Sequence, residues 1–204
     1  MIERWDVVVI GHPSRNPYWG ESRDRRVRTP VCTCTLVTGH DFRLLVDPSY
    51  SDQEQMEYAL HRRSGRRPDE IDCVFVTHPH GDHVAGLECF PAATWCAAAA
   101  VADQLNAAGR FSQQVADAAE VLPDEFDLIP TPGHVAGHHS LRFDCGGRSV
   151  VVAGDATITR DFCRDGLSSF SEPTEEEKRS VQRMVDVADA LVPGHDNWCL
   201  VDWT

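Results

Sequence analysis

The sequence predicts a single α/β domain, a sandwich of two β-sheets with helices on the outside. Three observations predict it. The length of 204 residues suits one domain with a sizeable core. The 42% apolar and 25% charged fractions are those of an ordinary globular protein. Short β-branched runs alternate with helical patterns, in two halves that each mix hairpins and helices. No low-complexity linker or long repeat divides them, so residues 1–204 are taken as one domain.

The elements follow in order. Residues 7–10, 31–38 and 43–46 read as strands rich in β-branched side chains. Gly39-His40-Asp41 supplies a hairpin turn between the last two. Ser51-Asp-Gln-Glu54 has the form of a capping box, and the helix it opens runs to about Arg63, stopped by Gly65. Residues 73–77 form a strand that runs straight into a histidine-rich loop. Residues 94–96 form another short strand, and 97–108 a helix ending at Gly109. Its small residues, 97–100, suit close packing. Strands follow at 126–129, 140–143 and 149–153, with Gly146-Gly147 turning the last pair. Thr174-Glu-Glu-Glu177 starts a helix whose first-turn acids suit the macrodipole. Residues 190–192 make a final strand, again ending in a histidine loop, and Trp198 and Trp203 beyond it either pack on the sandwich or line the groove beside His195.

Charge and cysteine usage narrow the function classes. Nineteen Lys and Arg against 32 Asp and Glu give a net charge of −13, which argues against a general DNA coater. Lys178 is the only lysine, as in a GC-rich genome or a salt-adapted organism. The first six residues carry acids where a signal peptide wants cations, and no run approaches the roughly 18 apolar residues of a spanning helix. The expectation is a soluble, cytoplasmic protein with no membrane partner. The eight cysteines form no CxxC pair, so reduced thiols are expected. Cys32 and Cys34 share one face of a strand, as a small apolar patch or half a site.

The chemistry concentrates in His78-Pro-His80-Gly-Asp82-His83, which follows a strand directly. Four metal-binding side chains in six residues, on a loop leaving a strand end, can point to two centres. Imidazole nitrogen and carboxylate oxygen suit Zn²⁺, and also Fe or Mn. Three later residues gain meaning beside this cluster: His134 in Thr-Pro-Gly-His, Asp155 in Ala-Gly-Asp, and His195 in Val-Pro-Gly-His. Alone, each reads as a loop residue; together they supply what two metals still need.

These motifs, with the strand-ending Asp47 in Leu-Leu-Val-Asp, resemble the metallo-β-lactamase fold superfamily in residues 47 to 195, in the family's order. The resemblance implies a four-layer αββα sandwich with a binuclear site at one sheet edge. It implies that His78, His80 and His134 hold one metal, that Asp82, His83 and His195 hold the other, and that Asp155 bridges them. Asp47 is then the buried acid that steadies the ligand loop. The cofactor expectation is two divalent metal ions, Zn first. A bound metal can lower the pKa of water from about 15.7 to about 7, so a metal-bridging hydroxide is the expected nucleophile. Asp82 and Asp155 are the expected catalytic residues, with Asp82 also orienting or shuttling a proton.

Missing features narrow the substrate. Antibiotic-cleaving relatives carry Cys where Asp155 stands. Glyoxalase II enzymes add a helical domain, whereas only Asp196 to Thr204 follow His195 here. Homoserine lactonases of this fold carry Tyr where Ile158 stands. The interval from Asp155 to His195 has no room for the inserted domain of the cleavage-factor nucleases, and no arm like that of transfer-RNA processing relatives is visible. The chain resembles the small single-domain hydrolases of the superfamily, acting on a small ester, thioester, lactone or phosphoester. The alternatives are a metal-dependent ribonuclease and a mononuclear iron persulfide dioxygenase, with a non-catalytic metal scaffold as the rival outside enzymes. The partner expected is a small molecule, with RNA second; the oligomeric state is open. Residues 13–29, between two early strands, form the candidate substrate flap. They hold Trp19, Arg23, Arg25 and Arg26, which could guide an anionic substrate, or could be solvated arginines paired with Glu21 and Asp24. His138 and His139 read as structural or near-surface residues, and His12 lies at the mouth of the flap.

Overall fold

The computed structural model describes residues 1–165 and 173–201; Trp203 lies outside the described residues. The strands are β1 (Ile2–Val9), β2 (Cys34–Gly39), β3 (Arg43–Val46), β4 (Cys73–Val76), β5 (Thr94–Ala97) and β6 (Ala116–Asp117) in the first half. The second half has β7 (Phe126–Pro130), β8 (His139–Cys145), β9 (Arg148–Gly154), β10 (Ala190–Pro193) and β11 (Cys199–Leu200). The helices are α1 (Gln53–Ser64), α2 (Ala99–Ala108), α3 (Ala118–Val121), α4 (Arg160–Arg164) and α5 (Glu175–Val185).

The first six strands lie in sequence order, β1 to β3 antiparallel and β3 to β6 parallel. In the second half, β8 lies between β7 and β9, while β10 runs parallel to β9 and pairs with β11. A single parallel pair, Ile2 opposite Cys145, joins the two halves along one edge.

Alternation along the strands builds three apolar layers, because successive side chains point to opposite sheet faces. Leu36, Leu45, Val74, Val76 and Trp95 pack on one side with Met56 and Leu60 of α1 and Val101 and Leu105 of α2. Their neighbours Val37, Leu44, Val46, Phe75 and Cys96 face the other way. They meet Leu141, Phe143, Val150, Val152 and Val192 between the sheets. Val151, Ala153 and Leu191 point outward again, onto Val181 and Met184 of α5. The result is the expected helix–sheet–sheet–helix order.

Local signals account for most boundaries. Gly65 ends α1 in the left-handed region, and the α1 cap is Asp52, one residue after the expected Ser51, its carboxylate accepting from the Gln55 N–H at 2.8 Å. Thr174 and Glu177 cap α5 reciprocally. Strand β1 begins five residues before the sequence predicts. Its only neighbour beyond Ile2 is β2, so Glu3 and Arg4 are exposed and the apolar signal is confined to its end. The short β6, α3, α4 and β11 carry too few residues for a period to show.

Phe143 is fully buried between the sheets. Phe143→Ala should cost about 3–5 kcal/mol of stability by urea denaturation, whereas Val187→Ala, at an exposed position, should stay within about 0.5 kcal/mol. Equal midpoints for the two variants would contradict the layer assignment.

Candidate metal centre

Each candidate ligand sits at or just beyond a strand end. His78 follows β4, with His80, Asp82 and His83 on the loop after it; His134 lies on the β7–β8 connection, Asp155 follows β9 and His195 follows β10. The fold thereby brings together all seven residues singled out in the sequence. They form two groups whose donor atoms lie within 4.8 Å of one another, His78/His80/His134/Asp155 and Asp82/His83/His195.

Asp155 faces both groups. Its Oδ1 lies 3.3 Å from His83 Nε2 and 3.3 Å from His195 Nε2. Its Oδ2 lies 3.3 Å from His134 Nε2 and 3.8 Å from His78 Nε2. His195 Nε2 is also 3.5 Å from Asp82 Oδ2, and His134 Nε2 is 2.9 Å from His80 Nδ1. His78 Nε2, His83 Nε2 and Asp155 Oδ1 are buried without a hydrogen-bond partner. Buried polar groups are normally satisfied. Converging lone pairs of nitrogen and carboxylate oxygen are what a divalent cation completes, so the residues present fit a two-metal site.

The opposite ring nitrogens fix which lone pair points inward. His83 Nδ1–H donates to Asp47 Oδ2 at 2.9 Å. Thr77 Oγ1–H donates to the same oxygen at 2.8 Å, leaving the Thr77 hydroxyl to accept from His78 Nδ1–H at 3.1 Å. His195 Nδ1–H donates to the carbonyls of Val31 at 2.8 Å and His12 at 3.2 Å. In each ring Nε2 is left for the site, the usual role of groups behind metal ligands. Asp47 is 1% exposed and lies behind the loop that carries His83. Thr77 and the two backbone carbonyls have no sequence signature.

His138 differs from the near-surface option. It is fully buried, stacks on His78 with ring centroids 5.0 Å apart, and bonds Thr131 Oγ1 at 2.8 Å through Nδ1. Burial pushes its pKa down to about 3, so the ring is neutral. Two glycines let the strand ends close. A Cβ on Gly154 would lie 2.5 Å from Thr77 Oγ1, and one on Gly194 would overlap Asp155 Oδ1.

Burial holds the His78 pKa well below the imidazole range. Burial also disfavours charge on His83 and His195, but Asp155, with Asp47 beside His83, outweighs it and raises both. Burial opposes ionisation of Asp155 as well, and His195 and His83 overcome it, keeping this carboxyl well below its usual range.

A cleft of about 690 Å³ opens over the site. Its wall includes Asp82, His80, His134, Asp155 and His195, with Tyr50, Gln55 and Ile158 around them. Of the flap residues singled out in the sequence, Arg26 lines this cleft; Trp19, Arg23 and Arg25 are not on its wall. Trp19 instead lies under the Arg28 guanidinium, 5.6 Å from ring centroid to Cζ, and Arg28 pairs with Glu21.

The sequence profile of the Metallo-beta-lactamase superfamily matches residues 27–195. The chain belongs to the metallo-beta-lactamase superfamily. It is 32% identical over 136 residues to metallo-beta-lactamase domain-containing protein 1 of Homo sapiens, a match covering 64% of this chain and 49% of that protein. The Xenopus laevis protein of the same name is 31% identical over 173 residues, covering 79% and 69%. The match thus spans about half the length of the human relative. Among solved structures, a Thermotoga maritima protein described as a metallo-beta-lactamase superposes with a TM-score of 0.71 at 22% identity, covering 98% of this chain and 99% of that one. A quorum-quenching N-acyl homoserine lactone hydrolase gives 0.69 at 21%, covering 96% and 93%. The mixed α/β fold of the family thus extends over nearly the whole chain.

Two outcomes follow from the site's electrostatics and packing. Asp155 holds the His83 pKa well above the imidazole range and raises that of His195, so in the metal-free protein these rings keep their protons to higher pH than free imidazole, and their attraction to Asp155 stabilises it until the pH rises through those values. Ligation needs neutral rings, so zinc uptake at pH 7 should release protons. Calorimetric titrations in two buffers of different ionisation enthalpy should then give different heats; equal heats would contradict protonated rings. Gly194→Ala should displace Asp155 and weaken zinc binding, and an unchanged affinity would refute that contact.

Proposed function

We propose that this chain is a binuclear metal-dependent hydrolase, with His78, His80 and His134 holding one ion, Asp82, His83 and His195 the other, and Asp155 shared. The observation that carries this reading is the position of Asp155, whose two oxygens face separate groups of imidazole Nε2 atoms. The donor set suits Zn²⁺, and also Fe or Mn. When bound, such ions supply Lewis acidity and lower the pKa of water enough for nucleophilic attack near neutral pH.

The chain's own residues do the positioning. Asp47 and Thr77 hold His83 and His78, and the His12 and Val31 carbonyls hold His195. Asp82, on the cleft wall beside His195, is the residue to which we give the orienting or shuttling of a proton. The expected substrate is a small ester, thioester, lactone or phosphoester. Relatives support hydrolysis: the chain is 26% identical over 121 residues to the hydroxyacylglutathione hydrolase of Pseudomonas entomophila, and it shares the fold of N-acyl homoserine lactone hydrolases. The ribonuclease reading draws less support, since one flap arginine lines the cleft. A single-iron centre would leave the Asp82/His83/His195 group without a role. Eight free thiols favour a reducing compartment, and we assign the protein to the cytoplasm. Among the described residues no helix is long and apolar enough to cross a membrane.

Elemental analysis after reconstitution with Zn, Fe or Mn should find two ions per chain. A panel of ester, thioester, lactone, phosphodiester and nitrocefin substrates should then identify the bond cleaved. Asp47→Ala should lower activity about 10–100-fold, and Asp155→Ala more than that. Failure to bind metal, or full activity in Asp155→Ala, would overturn the reading.

A further inference from the structure

The flap is built as an irregular hairpin clamped to the metal site. His12 and Val31 form its stem, with N–H···O bonds of 2.8 and 3.1 Å in the two directions. The carbonyls of these same two residues receive His195 Nδ1–H. One step further out, the Ser14 carbonyl accepts from the N–H groups of Val27 at 2.9 Å and Arg28 at 3.2 Å. The backbone next to Arg26 is thus fixed two bonded rungs from a candidate ligand. The far end of the flap is held as well: Tyr18 packs edge-on against Phe162, 5.1 Å between centroids, and its hydroxyl donates to Asp165.

The flap arginines separate by environment. Arg28 is bound to Glu21 and to the Pro13 carbonyl. Arg23 and Arg25 are off the cleft wall. Arg26 is the one Lys or Arg among the residues lining the cleft, and it is exposed. Among the described residues no salt bridge or hydrogen bond engages its guanidinium. The remaining charged groups on that wall are acids and imidazoles. Those nearest the reaction centre, Asp82 and Asp155, belong to the candidate metal site, and Asp52 already caps α1. An unpaired guanidinium on a wall of the cleft over the candidate metal site is suited to receive an oxyanion, because its fork matches carboxylate and phosphate geometry.

From this placement we infer that Arg26 selects substrates carrying an anionic group, carboxylate or phosphate, remote from the bond cleaved. The inference rests on the hydrolase reading above and names the substrate class of that same site. The substrate is a small molecule: the cleft holds about 690 Å³, and one arginine on its wall away from the metal ligands offers one anion a partner rather than a track for a polynucleotide backbone.

The test compares wild type with Arg26→Glu and Arg26→Lys, all zinc-loaded, on three 4-nitrophenyl esters. One has a neutral acyl chain, one a terminal carboxylate and one a terminal phosphonate. Arg26→Glu should lower the anionic-to-neutral ratio of kcat/KM at least about 10-fold, mainly through KM, with Arg26→Lys recovering part of it. A fall with only one of the two anions identifies which group the site takes. An unchanged ratio with both overturns the proposal. So does a ratio unchanged on esters while cleavage of single-stranded RNA collapses, which would give Arg26 to RNA. If wild type hydrolyses no ester, the hydrolase reading is in question, and calorimetry with glutarate and 3-phosphonopropionate still reads this proposal. Wild type should then bind at least about 10-fold more tightly than Arg26→Glu, and equal affinities overturn it. Unchanged melting temperatures in the two variants ensure that folding is not what is measured.

Discussion

The Asp47 carboxylate is the interaction on which the centre depends. It sits at the end of β3, buried, with φ +52, the one positive value outside glycine among the described residues. Such a conformation costs about 1–3 kcal/mol and persists where surrounding contacts over-determine it. Here the Thr77 N–H at 2.9 Å, the Thr77 hydroxyl and His83 Nδ1–H all converge on one carboxylate. Hydrogen bonds to a charged group contribute about 1.5–3 kcal/mol each, enough to offset the backbone term. The same bonds set the turn from β4 into the ligand loop and, through Thr77, the ring of His78. The backbone strain and the ligand geometry are therefore one arrangement.

That dependence explains what could be read from sequence. The seven candidate ligands were legible because four of them crowd into residues 78–83 and the other three each follow a short apolar run with glycine just before or near them. The layers were legible because alternation within β3, β4, β9 and β10 divides apolar residues between two buried faces. The start of β1 was not, because an almost unpaired edge tolerates Glu3, Arg4 and Asp6 where a central strand would not. His138 was not, because its burial comes from stacking on His78 and bonding to Thr131, contacts that adjacency to His139 does not encode. Nor were the His12 and Val31 carbonyls, since a backbone acceptor leaves no mark in residue identity.

The glycines at 154 and 194 show how packing serves the centre. Parallel β9 and β10 end side by side, with Pro193 opposite Gly154. A side chain at either glycine would occupy space taken by Thr77 or by the Asp155 carboxylate. Asp155 can face both histidine groups only because the neighbouring strand end is bare. Its burial would ordinarily favour the neutral acid. Two imidazoles at 3.3 Å reverse that preference, so the carboxylate is charged in the metal-free protein and ready to receive cations.

The flap extends the same logic away from the metals. His195 can direct Nε2 inward only if Nδ1–H finds an acceptor, and the acceptors are the two residues that close the flap stem. The Thr33 N–H donates to the Gly194 carbonyl at 2.6 Å, and the Thr33 hydroxyl donates to the Asp196 carbonyl at 2.8 Å, so both residues flanking His195 are tied to the chain just beyond that stem. Arg160 adds a forked pair to the Asp196 carboxylate, with two bonds of 2.9 Å. A rotation of His195 would therefore break contacts to the flap, and a shift of the flap stem would free His195 to turn. Ligand orientation and the position of the cleft wall are thus fixed by one set of hydrogen bonds. For an acidic chain of net charge −13, this links the guanidinium on that wall to the place where a bond would be cleaved.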